Sequence, residues 1–404
     1  MGTKKITNAS RLLALIALGG VLVTGVGAPA ATAAGRAGAG SAAAVRLDRT
    51  CRPGSLDPAP MRQAIAGLPT ATATSAQVRI VTTAGCWTGA SGVADLRTGR
   101  PVPPDARFRI GSVTKVFTAA MVLQLAAEGR VDLDGPVRRY LPGLLPADYP
   151  TVTVRQLLNH TNGLPDPDLP AADNIEWQLA HRYDRWTPEQ IVRTALRNPR
   201  LFEPGEKQRY SNMGPIVAGL LIERVTGHSY ARELDRRIAR PLGLRDTYAP
   251  GDDPTIRGRH VHGYQAVDRD GRTELVDATV WSQTFTPAAG NVISSTADLD
   301  AFLAALFAGR VVPQPQLEEM FTLPAVHDVD GGPAHYSAGL TAYPLPTGEV
   351  LWIKTGSRFG YLAAVAASRD GRFRLTYSVT STDAKLDGRP PIVDAIIDAA
   401  FALR

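Results

Sequence analysis

Ser112-Val113-Thr114-Lys115 places a hydroxyl three residues ahead of an amine. If Ser112 opens a helix, Lys115 lies one turn on and on the same face. A serine hydroxyl is a poor nucleophile until a base accepts its proton, and a neutral lysine can be that base. A helix N-terminus also favours negative charge at Ser112. Ser-x-x-Lys alone arises by chance, but its setting here is specific. Between Arg109 and Glu128, Lys115 is the only charged side chain, set among Val113, Val116, Phe117, Met121 and Leu125. A helix apolar nearly all round is buried. A buried, unpaired ammonium either loses its proton or finds partners. The alternative is an exposed lysine on one polar edge.

Two further segments have suitable chemistry. In Tyr210-Ser211-Asn212 a phenol could relay a proton to a leaving group, and an amide could hold both a lysine and a substrate carbonyl. Read alone, Tyr210 is equally a packing residue and Asn212 a helix cap. Lys354-Thr355-Gly356 ends an apolar strand. A glycine there lets a substrate backbone lie against the strand edge, and the lysine supplies positive charge. The bland reading is a charged strand end. Only six of the 44 basic residues are lysines, at positions 4, 5, 115, 207, 354 and 385. Two of the four beyond the N-terminal segment fall in these motifs.

The elements that must position these residues can be outlined. Residues 77–83 and 86–96 read as strands, with a turn at Thr98-Gly99-Arg100-Pro101. Helical patterns cover 113–127, 188–196, 213–226, 230–239 and 296–307. Strand character returns at 350–354, 361–368 and 373–380, with Asp370-Gly371 marking a hairpin. An amphipathic helix fills 392–403. Strands near both ends with helices between predict an α/β fold: one antiparallel sheet flanked by helices and built from the terminal segments, with an all-α region inserted. The expected layout is a sheet domain from about 61–130 and 280–404, with the helical insert at 131–279.

The N-terminus reads as an export signal. Lys4, Lys5 and Arg11 precede an apolar run over 12–26, and Ala31-Thr32-Ala33 fits small-x-small cleavage. Residues 1–34 are therefore expected to be removed and the protein secreted, without a stable membrane anchor. Residues 35–60 are expected to be a flexible lead-in. In an oxidising compartment Cys51 and Cys86, the only thiols, are expected to pair. They cannot build a metal site, and His260-Val261-His262 lacks a third ligand at suitable spacing and reads as a surface strand. No metal or other cofactor is expected. Of the net charge of +6, three units belong to the leader, which leaves +3 and no basic run. That gives no case for nucleic acid. With 44% hydrophobic and 20% charged residues the chain is neither disordered nor a disulfide scaffold.

Taken in order, Ser-x-x-Lys, Tyr-x-Asn and Lys-Thr-Gly resemble the motif set of serine penicillin-recognising enzymes, with Tyr-x-Asn in place of Ser-Asp-Asn. From about residue 76 onward the sequence resembles the class C β-lactamase-like family, above all its secreted D-alanyl-D-alanine carboxypeptidases. Phe108-Arg109-Ile110-Gly111, the stretch from Leu157-Leu158-Asn159-His160 through Thr161-Asn162-Gly163-Leu164, Val217-Ala218-Gly219, and Ala289-Gly290-Asn291-Val292-Ile293-Ser294-Ser295 add to it. The resemblance implies a β-lactamase/transpeptidase-like fold, with Ser112 as acylated nucleophile, Lys115 as its base and Tyr210 as general acid/base. It implies that Asn212 orients substrate and Lys115, and that Lys354, Thr355 and Gly356 shape the substrate edge. The Ser112 and Ser357 amides would form the oxyanion hole, and Trp281 would line the cleft. The third motif is Lys-Thr-Gly, as in class C β-lactamases, where the similar carboxypeptidases have His-Thr-Gly. Their substrate-carboxylate arginine after Gly-Leu is missing, since Gly339-Leu340 is followed by Thr341-Ala342. Arg358 is the substitute to expect. The implied partners are small-molecule or peptide substrates, D-Ala-D-Ala peptides and β-lactams. A β-lactamase, an esterase or a D-amino-acid peptidase would use the same residues. A non-catalytic cell-wall-binding relative is the reading from another class.

Overall fold

Alternating apolar residues at both ends of the chain meet in one seven-stranded sheet. The structure is a computed structural model that describes residues 51–168, 174–385 and 389–404, so the leader expected at 1–34 lies outside it. The strands are β1 (Ala73–Thr82), β2 (Gly85–Asp95), β3 (Arg100–Pro101), β4 (Thr341–Pro344), β5 (Val350–Arg358), β6 (Tyr361–Ser368) and β7 (Arg374–Ser381). Their spatial order is β4-β5-β6-β7-β1-β2-β3, antiparallel throughout. Pairing of β1 with β7, Val78 opposite Tyr377, joins segments about 300 residues apart.

The two-residue period of the strands gives the sheet two different faces. Ala76, Val78, Ile80, Leu375, Tyr377 and Val379 face the terminal helices α1 (Ala59–Ala64) and α5 (Pro391–Ala402) in one apolar cluster. On the opposite face, Trp352, Ala363, Val365 and Ala367 join the main core with α2 (Thr114–Ala127), α3 (Met213–Thr226) and α4 (Thr296–Phe307). Helix α4 is tied to the sheet by Asp300, which accepts from Arg79 at 2.8 Å and Arg374 at 2.6 Å. Helix α2 is buried along its first ten residues, and Phe117 stacks on Phe302 of α4 with centroids 3.9 Å apart. Among the described residues no helix is long and apolar enough to cross a membrane.

Several element boundaries differ from the sequence reading. Strand β5 runs on through Thr355-Gly356 to Arg358, because Gly356 packs against the backbone before α2. The helix read over 230–239 holds its α-helical turns only to Leu234 and widens over Asp235–Ala239. There Glu233 is fully buried and draws in Arg236 and Arg237. His260-Val261-His262 is not a surface strand: Val261 is fully buried, and His260 makes one isolated bridge to Arg107. Within 131–279 the short helices are followed by a two-stranded hairpin, Tyr264–Arg269 with Arg272–Asp277. Cys51 and Cys86 are joined as a disulfide that ties the segment before α1 to β2. Beside it the Cys86 amide donates to Arg52 O at 2.9 Å.

Candidate active site

Two interlocked glycines hold the Ser112 backbone against the sheet. Gly111 is left-handed, φ +49°, and a β-carbon on it would lie 2.5 Å from Ser357 N. A β-carbon on Gly356 would lie 2.0 Å from Ile110 O and 2.9 Å from Ser112 N. Only glycine permits this approach. It seats the tight turn Gly111–Val113 on β5 and brings the Ser112 and Ser357 amides together on adjoining elements.

Helix α2 begins at Thr114, so Lys115 stands in its first turn, almost fully buried at 2% exposure. Its Nζ donates to Ser112 Oγ at 3.1 Å, Asn212 Oδ1 at 2.7 Å and Ala289 O at 2.9 Å. An ammonium has three hydrogens, and these acceptors take all of them. The neutral amine has two hydrogens and a lone pair. Two of the three partners are amide carbonyl oxygens, which can only accept. They keep the two hydrogens, and the lone pair is left for the Ser112 hydroxyl. Burial brings Lys115 down to about 8, opposed by Tyr210 and reinforced by Lys354 and Lys385. A neutral fraction is therefore present near neutrality.

Tyr210 is half-buried between two amines: Lys115 Nζ is 4.9 Å and Lys354 Nζ 4.7 Å from its ring centroid. Lys354 lies on the face of β5 shared with Gly356 and Arg358, donates to Thr355 O at 3.1 Å, and is brought by burial to about 7. Asn212 does not cap α3. Ser211 Oγ takes the Met213 N–H at 3.0 Å instead, and the Asn212 amide is left for Lys115. Ser112, Lys115, Tyr210, Asn212, Lys354, Gly356 and the Ser357 amide thus converge.

The remaining predicted residues sit differently. Thr355 is exposed on the opposite side of β5. The Ser357 hydroxyl is engaged by Ala384 O. Trp281 stacks on Phe359, centroids 4.3 Å apart, in a separate apolar cluster with Leu179, Val267 and Ala278. Arg358 is buried, and its Nε has no acceptor among the described residues. Burial, then Arg109, brings its guanidinium to about 10.

The sequence reading assigned no role to His160 or to the Ala289 carbonyl. His160 has φ +63° and is buried, and its ring lies 4.7 Å from that of Tyr210. Burial, then Lys115, Lys354 and His335, holds it well below its ordinary value, so it is neutral. Its Nδ1 accepts the Ser211 N–H at 3.4 Å. Lys385 adds positive charge felt at Lys115. The scarcity of lysine could have flagged it, since the fourth lysine among the described residues, Lys207, is exposed and pairs with Glu206.

The Beta-lactamase family model matches residues 61–399. The chain belongs to the beta-lactamase family. That places it among the serine hydrolases of the β-lactamase/penicillin-binding superfamily. Esterase EstB of Burkholderia gladioli is 37% identical over 172 residues, 39% of this chain and 42% of that protein. Penicillin-binding protein 4* of Bacillus subtilis is 28% identical over 302 residues, 71% of this chain and 63% of that protein. The matches thus span less than two thirds of these relatives' length. Among solved structures, a D-stereospecific amidohydrolase from Streptomyces sp. superposes with a TM-score of 0.72 and 32% identity, over 85% of this chain and 98% of that one. The D-amino acid amidase of Ochrobactrum anthropi SV3, complexed with D-phenylalanine, gives a TM-score of 0.67 and 28% identity over 82% and 95%. This beta-lactamase family member has the sheet-plus-helices architecture of those amidohydrolases.

Proposed function

We propose that the chain is an exported serine-type hydrolase that forms an acyl-enzyme on Ser112, acting as a D-alanyl-D-alanine carboxypeptidase on peptidoglycan peptides. The observation that carries this is the Lys115 amine, whose two carbonyl partners leave its lone pair for Ser112 Oγ, 3.1 Å away. Ser112 Oγ attacks the amide carbonyl carbon while Lys115 takes its proton. The oxyanion is met by the Ser112 and Ser357 amides, a contact typically worth a few kcal/mol. Tyr210, between the two amines, passes a proton to the leaving nitrogen as the C–N bond breaks. Water then attacks the Ser112 ester, gives its proton back through Tyr210 and Lys115, and releases the acid. Asn212 orients Lys115 and substrate, and Lys354 supplies charge at the substrate edge.

A second reading is a D-amino-acid amidohydrolase, favoured by near-complete coverage of the Streptomyces and Ochrobactrum enzymes. Both readings share the first step, and intact mass over time separates them. The chain would be incubated with a fluorescent penicillin, an acyl-D-Ala-D-Ala peptide, a D-amino-acid amide and a nitrophenyl ester. A lasting adduct on Ser112 with release of D-alanine supports the carboxypeptidase. Faster turnover of the amide supports the amidohydrolase. Rapid adduct loss with opened lactam would mean a β-lactamase, and ester turnover alone an esterase. Labelling of any residue other than Ser112 sinks the mechanism.

Arg358 bears on which of these substrates is preferred. A buried guanidinium with no carboxylate partner among the described residues suits a substrate carboxylate, and hydrogen bonds to charged groups are worth about 1.5–3 kcal/mol. Arg358→Gln should raise KM about 10- to 100-fold for a peptide ending in a free carboxylate. KM for the matching terminal amide should stay within about twofold. Equal effects on the two substrates would remove Arg358 from recognition.

A further inference from the structure

Tyr210 is built into a turn whose two flanking residues are both held by one carboxylate. Asp166 Oδ2 accepts from Arg209 Nη1 at 2.7 Å, and Asp166 Oδ1 accepts from Ser211 Oγ at 2.8 Å. Ser211 is buried, and its Oγ in turn accepts the Met213 N–H that opens α3. Asp166 is itself anchored, since Asn198 Nδ2 donates to its backbone carbonyl at 2.9 Å. From the other side His160 holds the same two residues: its carbonyl accepts the Arg209 N–H at 3.0 Å and its Nδ1 the Ser211 N–H. The Tyr210 hydroxyl bonds to Lys115, the amine with which it would exchange protons, and the backbone that carries the ring between Lys115 and Lys354 is held by this frame.

We infer that Asp166 is a positioning residue for proton transfer, acting through Tyr210 by clamping Arg209 and Ser211. This rests on the role proposed above for Tyr210. The charge is needed as well as the shape. Arg209 is a donor only, and the Ser211 hydroxyl has a proton to give once its oxygen has accepted Met213 N–H. A carboxylate offers an acceptor to each. An asparagine offers one, and turns an N–H toward the other.

Displacing a proton-transfer group by about 1 Å can cost about 100-fold in rate. Asp166→Ala is therefore expected to lower kcat about 10- to 100-fold with KM within about threefold, because the amides at Ser112 and Ser357 are untouched. Asp166→Asn should fall between wild type and Asp166→Ala, and serves if the alanine variant does not fold. The deciding readout is the background. In Tyr210→Phe, which has no phenol proton to misplace, adding Asp166→Ala or Asp166→Asn should change kcat less than about twofold. The same loss in both backgrounds, or a loss confined to KM, would show that Asp166 merely supports the fold or the substrate rim and would overturn the inference. Undiminished kcat in both Asp166 variants, with turnover still lost in Ser112→Ala, would overturn it alone. Undiminished turnover in Ser112→Ala would take the underlying reading with it.

Discussion

Lys115→Met is expected to lower kcat/KM for acylation by about 10⁴-fold, while the melting temperature at pH 7 is no lower than that of wild type. The activity term follows from geometry. Without the amine, no other group among the described residues hydrogen-bonds Ser112 Oγ, and an unactivated hydroxyl is a weak nucleophile. The stability term follows from the sign of the Lys115 shift. Folding brings this amine down to about 8, while an unfolded lysine titrates near 10.4. Between those values the unfolded chain holds a proton that the folded chain has released, so stability rises with pH across that window. At pH 7 both states are protonated and the folded state bears the full cost of a buried ammonium. Methionine removes that cost and fills similar volume. Thermal melts from pH 7 to 10 should show the wild type gaining on the variant as pH rises. A variant that melts well below wild type at pH 7 would show that Lys115 is chiefly structural.

The same two amines shape the pH–rate profile. Lys115 must be neutral to act, and Lys354 must be charged to contribute its field. With Lys115 at about 8 and Lys354 at about 7, the profile of kcat/KM is a bell with its maximum between the two. Lys354→Met should lose the alkaline limb and keep the acid one.

What could be read from the sequence follows from how local each feature is. Helix α2 was legible because its composition is apolar on every side, which also marked Lys115 as buried. The five inner strands of the sheet were legible from β-rich runs and turn residues, and the short edge strands β4 and β3 were not, since four and two residues carry too little alternation to register. The extent of β5 was not, because Thr355-Gly356 has the composition of a strand end. Only the approach of Ile110 O explains why the strand continues through that glycine. Ala289 contributes a backbone carbonyl, and a carbonyl has no residue-type signature. Asp166 is one acid in a proline-rich loop, and its importance comes from what lies 43 and 45 residues later. The role of Asn212 stayed open in the sequence because an asparagine before a helix is usually a cap. That Ser211 Oγ takes the Met213 N–H while the Asn212 side chain, at the N-cap position, turns to Lys115 is a fact of side-chain direction, which spacing does not encode.

Gly356→Ala is expected to be the single-methyl change in the sheet that most damages turnover. The new β-carbon would sit 2.0 Å from Ile110 O and 2.9 Å from Ser112 N, both backbone atoms that cannot rotate away. Either β5 or the Gly111–Val113 turn must shift by about 1 Å to restore van der Waals contact. Overpacking of this kind costs about 1–3 kcal/mol of stability. The catalytic cost is larger, because the shift separates the Ser112 and Ser357 amides that would hold the oxyanion. Loss of one such donor lowers kcat about 10²- to 10³-fold. Gly348→Ala supplies the control. It lies on the turn between β4 and β5 with φ +84° and nothing within 4 Å of its β-carbon. That change carries a backbone penalty of about 1 kcal/mol and should leave kcat within about twofold of wild type. Steady-state kinetics and melts on the two variants separate a sheet weakened in general from a site pried open at one contact. Equal kcat losses in both variants would mean that the contact between Gly356 and the Ser112 turn has no special bearing on the chemistry.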